Sequence, residues 1–267
     1  MRLGVLLTLT LLLALPALAE PPRRIVSANL CADRLVLELA ERDRVRAVGP
    51  FAADPAVSTV AAAAQGLPVT EGRVEQILAF HPDLVVLGTF NDPATGMLLE
   101  RLGVPVYRVG APQSLDGVRA EIRRLAAALG ETARGEAMVA RLEAGLAALP
   151  RLERPVVAAV YQAGGWSAGR GTLADELFGR VGLVNLAAAT GRSGIAPLPL
   201  ETLVAGRPEL IVIESMGEEA PSLSGELLRH PVLAGRGLRR VTVPMRLWAC
   251  PDPALAAAAA LVAEAAR

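Results

Sequence analysis

Val74-Glu-Gln-Ile-Leu-Ala-Phe-His-Pro-Asp-Leu-Val-Val86 and Leu200-Glu-Thr-Leu-Val-Ala-Gly-Arg-Pro-Glu-Leu-Ile-Val212 are two copies of one pattern. Each places a Glu seven residues ahead of a Pro, follows that Pro with an acidic residue, and ends in an apolar run. Pro cannot continue a helix and biases its predecessor away from helical backbone. Each copy therefore predicts a short helix, a proline turn and a buried strand. One copy falls in each half of the chain, at matching places, so two similar lobes are expected.

The flanking sequence extends the same alternation. Apolar runs at Ile25 to Ala28, Val45 to Val48, Leu84 to Leu87 and Val104 to Val109 predict buried strands, with helices at Asp33 to Ala40 and Val74 to Phe80 between them. Strands resume at Pro155 to Tyr161, Leu210 to Ile213 and Arg240 to Val243. Strands alternating with helices argue for an α/β fold with mainly parallel sheets. A stretch without strands divides the two sets. Leu115, Val118, Ile122, Leu125 and Leu129 recur at helical spacing, and Gly130 suits the stop. A second helix over Glu131 to Leu149 would reach about 28 Å at 1.5 Å per residue, enough to brace two lobes. The resulting division is an N-terminal lobe over 20–114, a helical region over 115–150 and a C-terminal lobe over 151–267.

Residues 1–19 carry the marks of a signal peptide: Arg2, an apolar run from Leu3 to Leu15, and Ala17-Leu18-Ala19 as a cleavage site before Glu20. The run is too short for the roughly 20 residues of a membrane span. Secretion is expected. All 27 basic residues are Arg, balanced by 27 acidic ones, for a formal net charge of zero. Without basic clusters, nothing favours nucleic acid as a partner.

Catalytic and metal signatures are sparse. Gly165-Trp166-Ser167-Ala168-Gly169 matches the pattern of a hydrolase nucleophile elbow, so a secreted serine hydrolase using Ser167 is the alternative reading. That elbow needs Ser directly between strand and helix, whereas Ser167 is expected in a glycine-rich loop after a strand ending near Tyr161. The two His, His81 and His230, both precede Pro and read as turn residues, so no side-chain metal site is expected.

Loop residues at expected strand ends remain. Asn29, Cys31, Phe90 and Asn91 come from the first half, and Tyr161, Gln162, Trp166, Arg170, Arg246 and Trp248 from the second. Ligands of parallel α/β sheets lie beyond the carboxyl ends of the strands, so these residues are candidates to line a cleft between the lobes. Both Trp fall in Gly- or Pro-rich stretches, where an indole can stack on a flat ligand. Cys31 and Cys250, one per half, either form a disulfide, face the ligand as soft metal ligands, or stay apart.

Arg24-Ile-Val-Ser27, Glu75 with Pro82-Asp83-Leu-Val-Val, Gly169-Arg-Gly-Thr-Leu-Ala-Asp-Glu-Leu177 with Gly182-Leu-Val-Asn185, and His230-Pro-Val-Leu together resemble one family. It is the helical-backbone (class III) group of periplasmic substrate-binding proteins, which serve ABC importers of ferric siderophores, haem and cobalamin. The resemblance runs from Arg24 to Ala263. It implies two Rossmann-like lobes joined by one long α-helix with the ligand cleft between them, no catalysis and no cofactor. The partners it implies are a membrane permease with its ATPase, with the binding protein acting as a monomer. In that class a Glu on each lobe docks on the permease, and Glu75 and Glu201 occupy the matching positions. The His cluster of the metal-ion branch is missing, and Tyr is confined to Tyr107 and Tyr161. The expected ligand is therefore a preformed metal chelate, a ferric siderophore or a cobalamin-type corrinoid.

Overall fold

Runs such as Leu84 to Gly88 and Val156 to Val160 lack polar alternation because both faces of their sheets are covered by helices, as parallel sheets require. The computed structural model describes residues 20–215, 226–234 and 238–267, and the expected signal peptide lies outside the described residues. The first half contains β1 (Ile25–Ser27), α1 (Leu30–Leu39), β2 (Val45–Ala47), α2 (Ala61–Ala64), α3 (Val74–Leu78), β3 (Leu84–Gly88), α4 (Pro93–Arg101) and β4 (Val106–Val109). Helices α5 (Leu115–Leu129) and α6 (Thr132–Ala147) follow. The second half contains β5 (Val156–Val160), β6 (Trp166–Ala168), α7 (Leu173–Val181), β7 (Leu183–Asn185), α8 (Leu186–Ala189), β8 (Ile195–Pro197), α9 (Leu200–Ala205) and β9 (Leu210–Ser215). It ends with β10 (Arg239–Pro244), α10 (Met245–Trp248) and α11 (Ala254–Ala266).

Two four-stranded parallel sheets result, ordered β2-β1-β3-β4 and β7-β5-β9-β10. Counted along the chain within each sheet, both orders run second, first, third, fourth. The doubled sequence motif supplies the helix and strand at the third position of each. Its two copies also agree atom by atom. Asp83 N–H donates to Arg24 O at 3.0 Å, and Glu209 N–H donates to Val157 O at 2.8 Å. His81 (φ 47°) and Arg207 (φ 45°), each just before the motif's Pro, are the non-glycine residues with left-handed backbone among the described residues. That conformation is costly for a residue with a Cβ. Its recurrence at one motif position marks a shared turn.

Helices cover each sheet on both sides. One face of the first sheet packs on α1, α5 and α6 and the other on α3 and α4. The second sheet packs α7 and α11 on one face and α8 and α9 on the other. Helix α5 starts at Ser114, whose hydroxyl caps Gly117 N–H, and stops at Gly130, left-handed at φ 74° as the sequence requires. The brace α6 is 16 residues, or about 24 Å, slightly shorter than expected. It is doubled by α11, which packs against it. Leu255, Ala256 and Ala259 of α11 join the first core, while Ala258, Val262 and Ala263 join the second. The C-terminal helix thus belongs to both halves rather than to the second lobe alone.

Asp33 ties β1, α1 and β2 together. Its buried carboxylate accepts Gly49 N–H at 3.1 Å, and a Cβ on Gly49 would lie 2.8 Å from its Oδ2, so only glycine permits the approach. Burial raises the Asp33 pKa from 3.8 to about 6, against the lowering effect of the nearby Ser27 hydroxyl and of backbone N–H groups such as that of Gly49. Between those two values the folded chain binds this proton more tightly than the unfolded chain. The Asp33 contribution therefore favours folding at about pH 4 and is lost as pH rises through about 6, by roughly 3 kcal/mol at most. Denaturant midpoints measured from pH 4 to 7 should show this fall, and Asp33→Asn should remove its share while leaving the similar share of buried Asp252, whose pKa is also raised to about 6; an unchanged profile in the variant refutes the assignment.

Candidate ligand cleft

The carboxyl ends of both sheets open on one cavity of about 360 Å³ with walls from both halves. The first half supplies Phe90 after β3 and Ala111 to Gln113 after β4. The second supplies Gln162 after β5, Glu214 at the end of β9 and Trp248 on α10, with Thr172 to Ala174 at the start of α7. A smaller recess continues along the first lobe beside Asn29, Cys31 and Thr89. This is the place where parallel α/β sheets bind ligands.

Apolar surface dominates the walls. Phe90 is 89 % exposed, which is unusual for so large an apolar side chain. Across the cavity, the two-stranded ribbon of β6 and β8 pairs Ala168 with Ile195, and both face the cavity. Strand alternation sets Trp166, 45 % exposed, on the same face of β6 as Ala168.

The polar groups are few. Gln162 Nε2 donates to Glu214 Oε2 at 2.7 Å. Burial pushes the Glu214 carboxyl above the usual range, opposed by the hydrogen bonds from Gln162 and Trp248. On the opposite wall Gln113 Nε2 donates to Ala111 O at 3.1 Å.

The back of the cleft is a rigid junction. Cys31, one residue into α1, is disulfide-bonded to Cys250, with Cα atoms 5.2 Å apart. One turn further along α1, buried Arg34 pairs with buried Asp252. Leu115 N–H, at the start of α5, donates to Glu176 Oε2 of α7 at 2.7 Å.

The expected cleft residues separate on inspection. Phe90, Gln162 and Trp248 line the cavity, and Asn29 and Cys31 line its recess. Asn29 also caps α1, its Oδ1 accepting Cys31 N–H at 3.0 Å. Asn91 braces the loop: its Oδ1 accepts Gly88 N–H at 2.7 Å and its Nδ2 donates to Ala28 O at 2.9 Å. Trp166, Arg170 and Arg246 stand outside the described lining. Tyr161 needs correcting. It is fully buried in the core with Leu186, Leu198 and Leu203, because strand alternation turns it onto the α8 and α9 face of the sheet. Glu214, Gln113 and Thr172 were missed; Glu214 had a signal, as the acid that interrupts an apolar strand at its carboxyl end.

Ser167 is also corrected. It lies on β6 rather than in a loop, is fully buried, and its hydroxyl donates to Val160 O at 2.5 Å. A nucleophile needs exposure and a neighbouring base. Ser167 has neither among the described residues. Glu75 and Glu201 each sit at the second position of a short helix, exposed, away from the cavity lining.

Comparison with known proteins agrees with this geometry. The family model for periplasmic binding proteins matches residues 25–236. A cobalamin-binding protein of Halobacterium salinarum is 26 % identical over 201 residues, 73 % of this chain and 54 % of that one. The chain thus spans about half the length of the curated relatives it matches. Among solved structures, a periplasmic haem-binding protein from Roseiflexus sp. RS-1 is 27 % identical with a TM-score of 0.73, covering 92 % of this chain and 99 % of that one. A periplasmic vitamin B12-binding protein of Vibrio cholerae, at 17 % identity and a TM-score of 0.62 over 92 % of this chain and 96 % of its own, shares the fold. With the family model spanning most of its length and two matched sheets facing one cleft, the chain belongs to the periplasmic binding protein family.

Proposed function

We propose that this chain is the substrate-binding component of an ABC importer, working in the periplasm after loss of residues 1–19 and handing a preformed metal chelate, ferric siderophore or corrinoid, to the permease. The carrying observation is the cavity between two equivalent sheets, walled by apolar and aromatic side chains from both halves. Such a site holds a bulky, flat ligand by area, with a few polar groups setting its orientation. An edge of the chelate enters the cavity while its faces meet Phe90 and the β6–β8 ribbon.

The Halobacterium salinarum relative is named for cobalamin and the Roseiflexus relative for haem. Iron in haem is held by an axial His, Cys, Met or Tyr. Among the described residues the cavity lining offers no such free group: Tyr161 is in the core, the Tyr107 hydroxyl donates to Glu121 at 2.9 Å, and Cys250 is in the disulfide. A chelate whose metal is already saturated fits better. The α6–α11 brace favours small rocking of the lobes, and capture requires only that the ligand bind one arrangement more tightly than the other.

The test is intrinsic fluorescence and thermal shift against cyanocobalamin, haem and a ferric siderophore panel. Trp248 lines the cavity, so the cognate chelate should quench emission saturably. At a hundredfold excess over Kd it should add about 2.7 kcal/mol of stability. If no chelate produces either change, the reading fails.

A further inference from the structure

Glu214 is the sole ionisable side chain among the described residues that line the cavity and its recess. Its carboxylate accepts Gln162 Nε2 at 2.7 Å, and the Trp248 indole is a second partner. A carboxylate has about four acceptor positions, so capacity remains beyond these two. The partners fix the group on the second lobe, at the carboxyl end of β9. Gln113 faces it from the first lobe. The polar side chains of the cavity are therefore one acid, two amides and the Thr172 hydroxyl, which is engaged by Gly169 O and Asp175 N–H; no guanidinium is among the described lining residues, although the chain has 27 basic residues, all Arg.

We infer that Glu214, held by Gln162 and Trp248, is a specificity-determining residue that selects an uncharged metal chelate with amide N–H groups on its periphery. The inference rests on the reading of this chain as a chelate carrier. An amide N–H brought to Glu214 makes a charge-assisted hydrogen bond, the stronger kind. The amides of Gln162 and Gln113 complement amide C=O and N–H groups in either orientation. An anionic chelate, such as haem with its propionates, meets a like charge in a half-buried site with no cation to offset it. Like-charge contact of that sort penalises wrong ligands heavily. Two sources supply the favoured chemistry: a corrinoid with carboxamide arms and a cyclic-peptide ferric hydroxamate.

The experiment is titration calorimetry of the full mature chain with four probes. Dicyanocobinamide and ferrichrome are the uncharged, amide-bearing chelates, and haem and ferric enterobactin are the anionic ones. One of the first pair should bind at least about tenfold more tightly than either anion, and which one it is identifies the source. Glu214→Gln, nearly isosteric, should weaken that ligand about tenfold or more, as expected for loss of a hydrogen bond to a charged group. Glu214→Ala should do the same, and melting curves on both variants verify folding. Should Glu214→Gln unfold the chain, the probe ranking on the unmodified protein decides alone. Tighter binding of an anion, or unchanged affinity in folded Glu214→Gln, overturns the inference while leaving the carrier reading intact. Failure of all four probes, with the wider panel also silent, overturns both.

Discussion

Reversing both exposed glutamates, Glu75→Lys with Glu201→Lys, should abolish chelate uptake by cells while leaving binding to the isolated protein unchanged. The two residues hold the same place in equivalent motifs, at the second position of α3 and α9, and neither lines the cavity. Their local cost is small. A Lys in the first helical turn forfeits about 0.3–1 kcal/mol of favourable dipole interaction, and surface substitutions seldom cost more. The permease-docking role proposed for the two glutamates predicts a far larger effect on uptake. Exposed ion pairs contribute only about 0–1 kcal/mol each, suited to a carrier that must bind and leave quickly, but turning attraction into repulsion at both lobes costs several times that. Either single reversal should lower uptake partially, because the proposed contact of the other lobe is left intact. The measurement is transport of labelled chelate in cells that depend on this protein, beside calorimetry on the same variants. Full uptake by the double variant would remove the docking role.

The doubled motif made most of the architecture readable, because a helix, a proline turn and a strand are local facts. Gly130 and the β3 and β9 runs are of that kind. The cleft was less readable, since a side chain's face depends on register. Ala159 and Tyr161 share one face of β5, so a Tyr at a strand end went to the core while Gln162, one residue later, reached the cavity. On β9, Glu214 follows the Val212 face toward α10 instead of the Ile211 and Ile213 face. Whether the two Cys meet is a long-range fact, at a sequence separation of 219, and spacing alone left three outcomes open. The Ala-rich sequence of α11 is apolar around much of its circumference, which suits two neighbours without naming them.

Asp252→Ala should destabilise the protein by about 3–5 kcal/mol, the usual cost of stranding one member of a buried ion pair. Arg34 and Asp252 have side chains 0 % and 2 % exposed, so solvent cannot take over from the missing carboxylate. Asp252 also caps α11 through Ala254 N–H at 2.9 Å, and its loss frays the helix that braces both lobes. In a chain of this size the melting temperature should fall by roughly 10 °C. The pair itself is not an efficient source of stability. Burial raises the Asp252 pKa from 3.8 to about 6 despite the Arg34 charge beside it, so ionising this carboxyl in place is costly. Arg34 Nε and Nη1 also meet no acceptor among the described residues. The double variant Arg34→Met/Asp252→Asn keeps the cap and removes both charges, and should recover most of the lost stability. The disulfide sharpens the contrast. With Cys31 and Cys250 joined one turn away on α1, the segment carrying residue 252 cannot swing out to hydrate a lone Arg34. After reduction it can, so the cost of Asp252→Ala should shrink, as expected for two neighbouring links that are not independent. Equal costs in the oxidised and reduced protein would show that the ion pair, rather than the disulfide, holds this segment against α1.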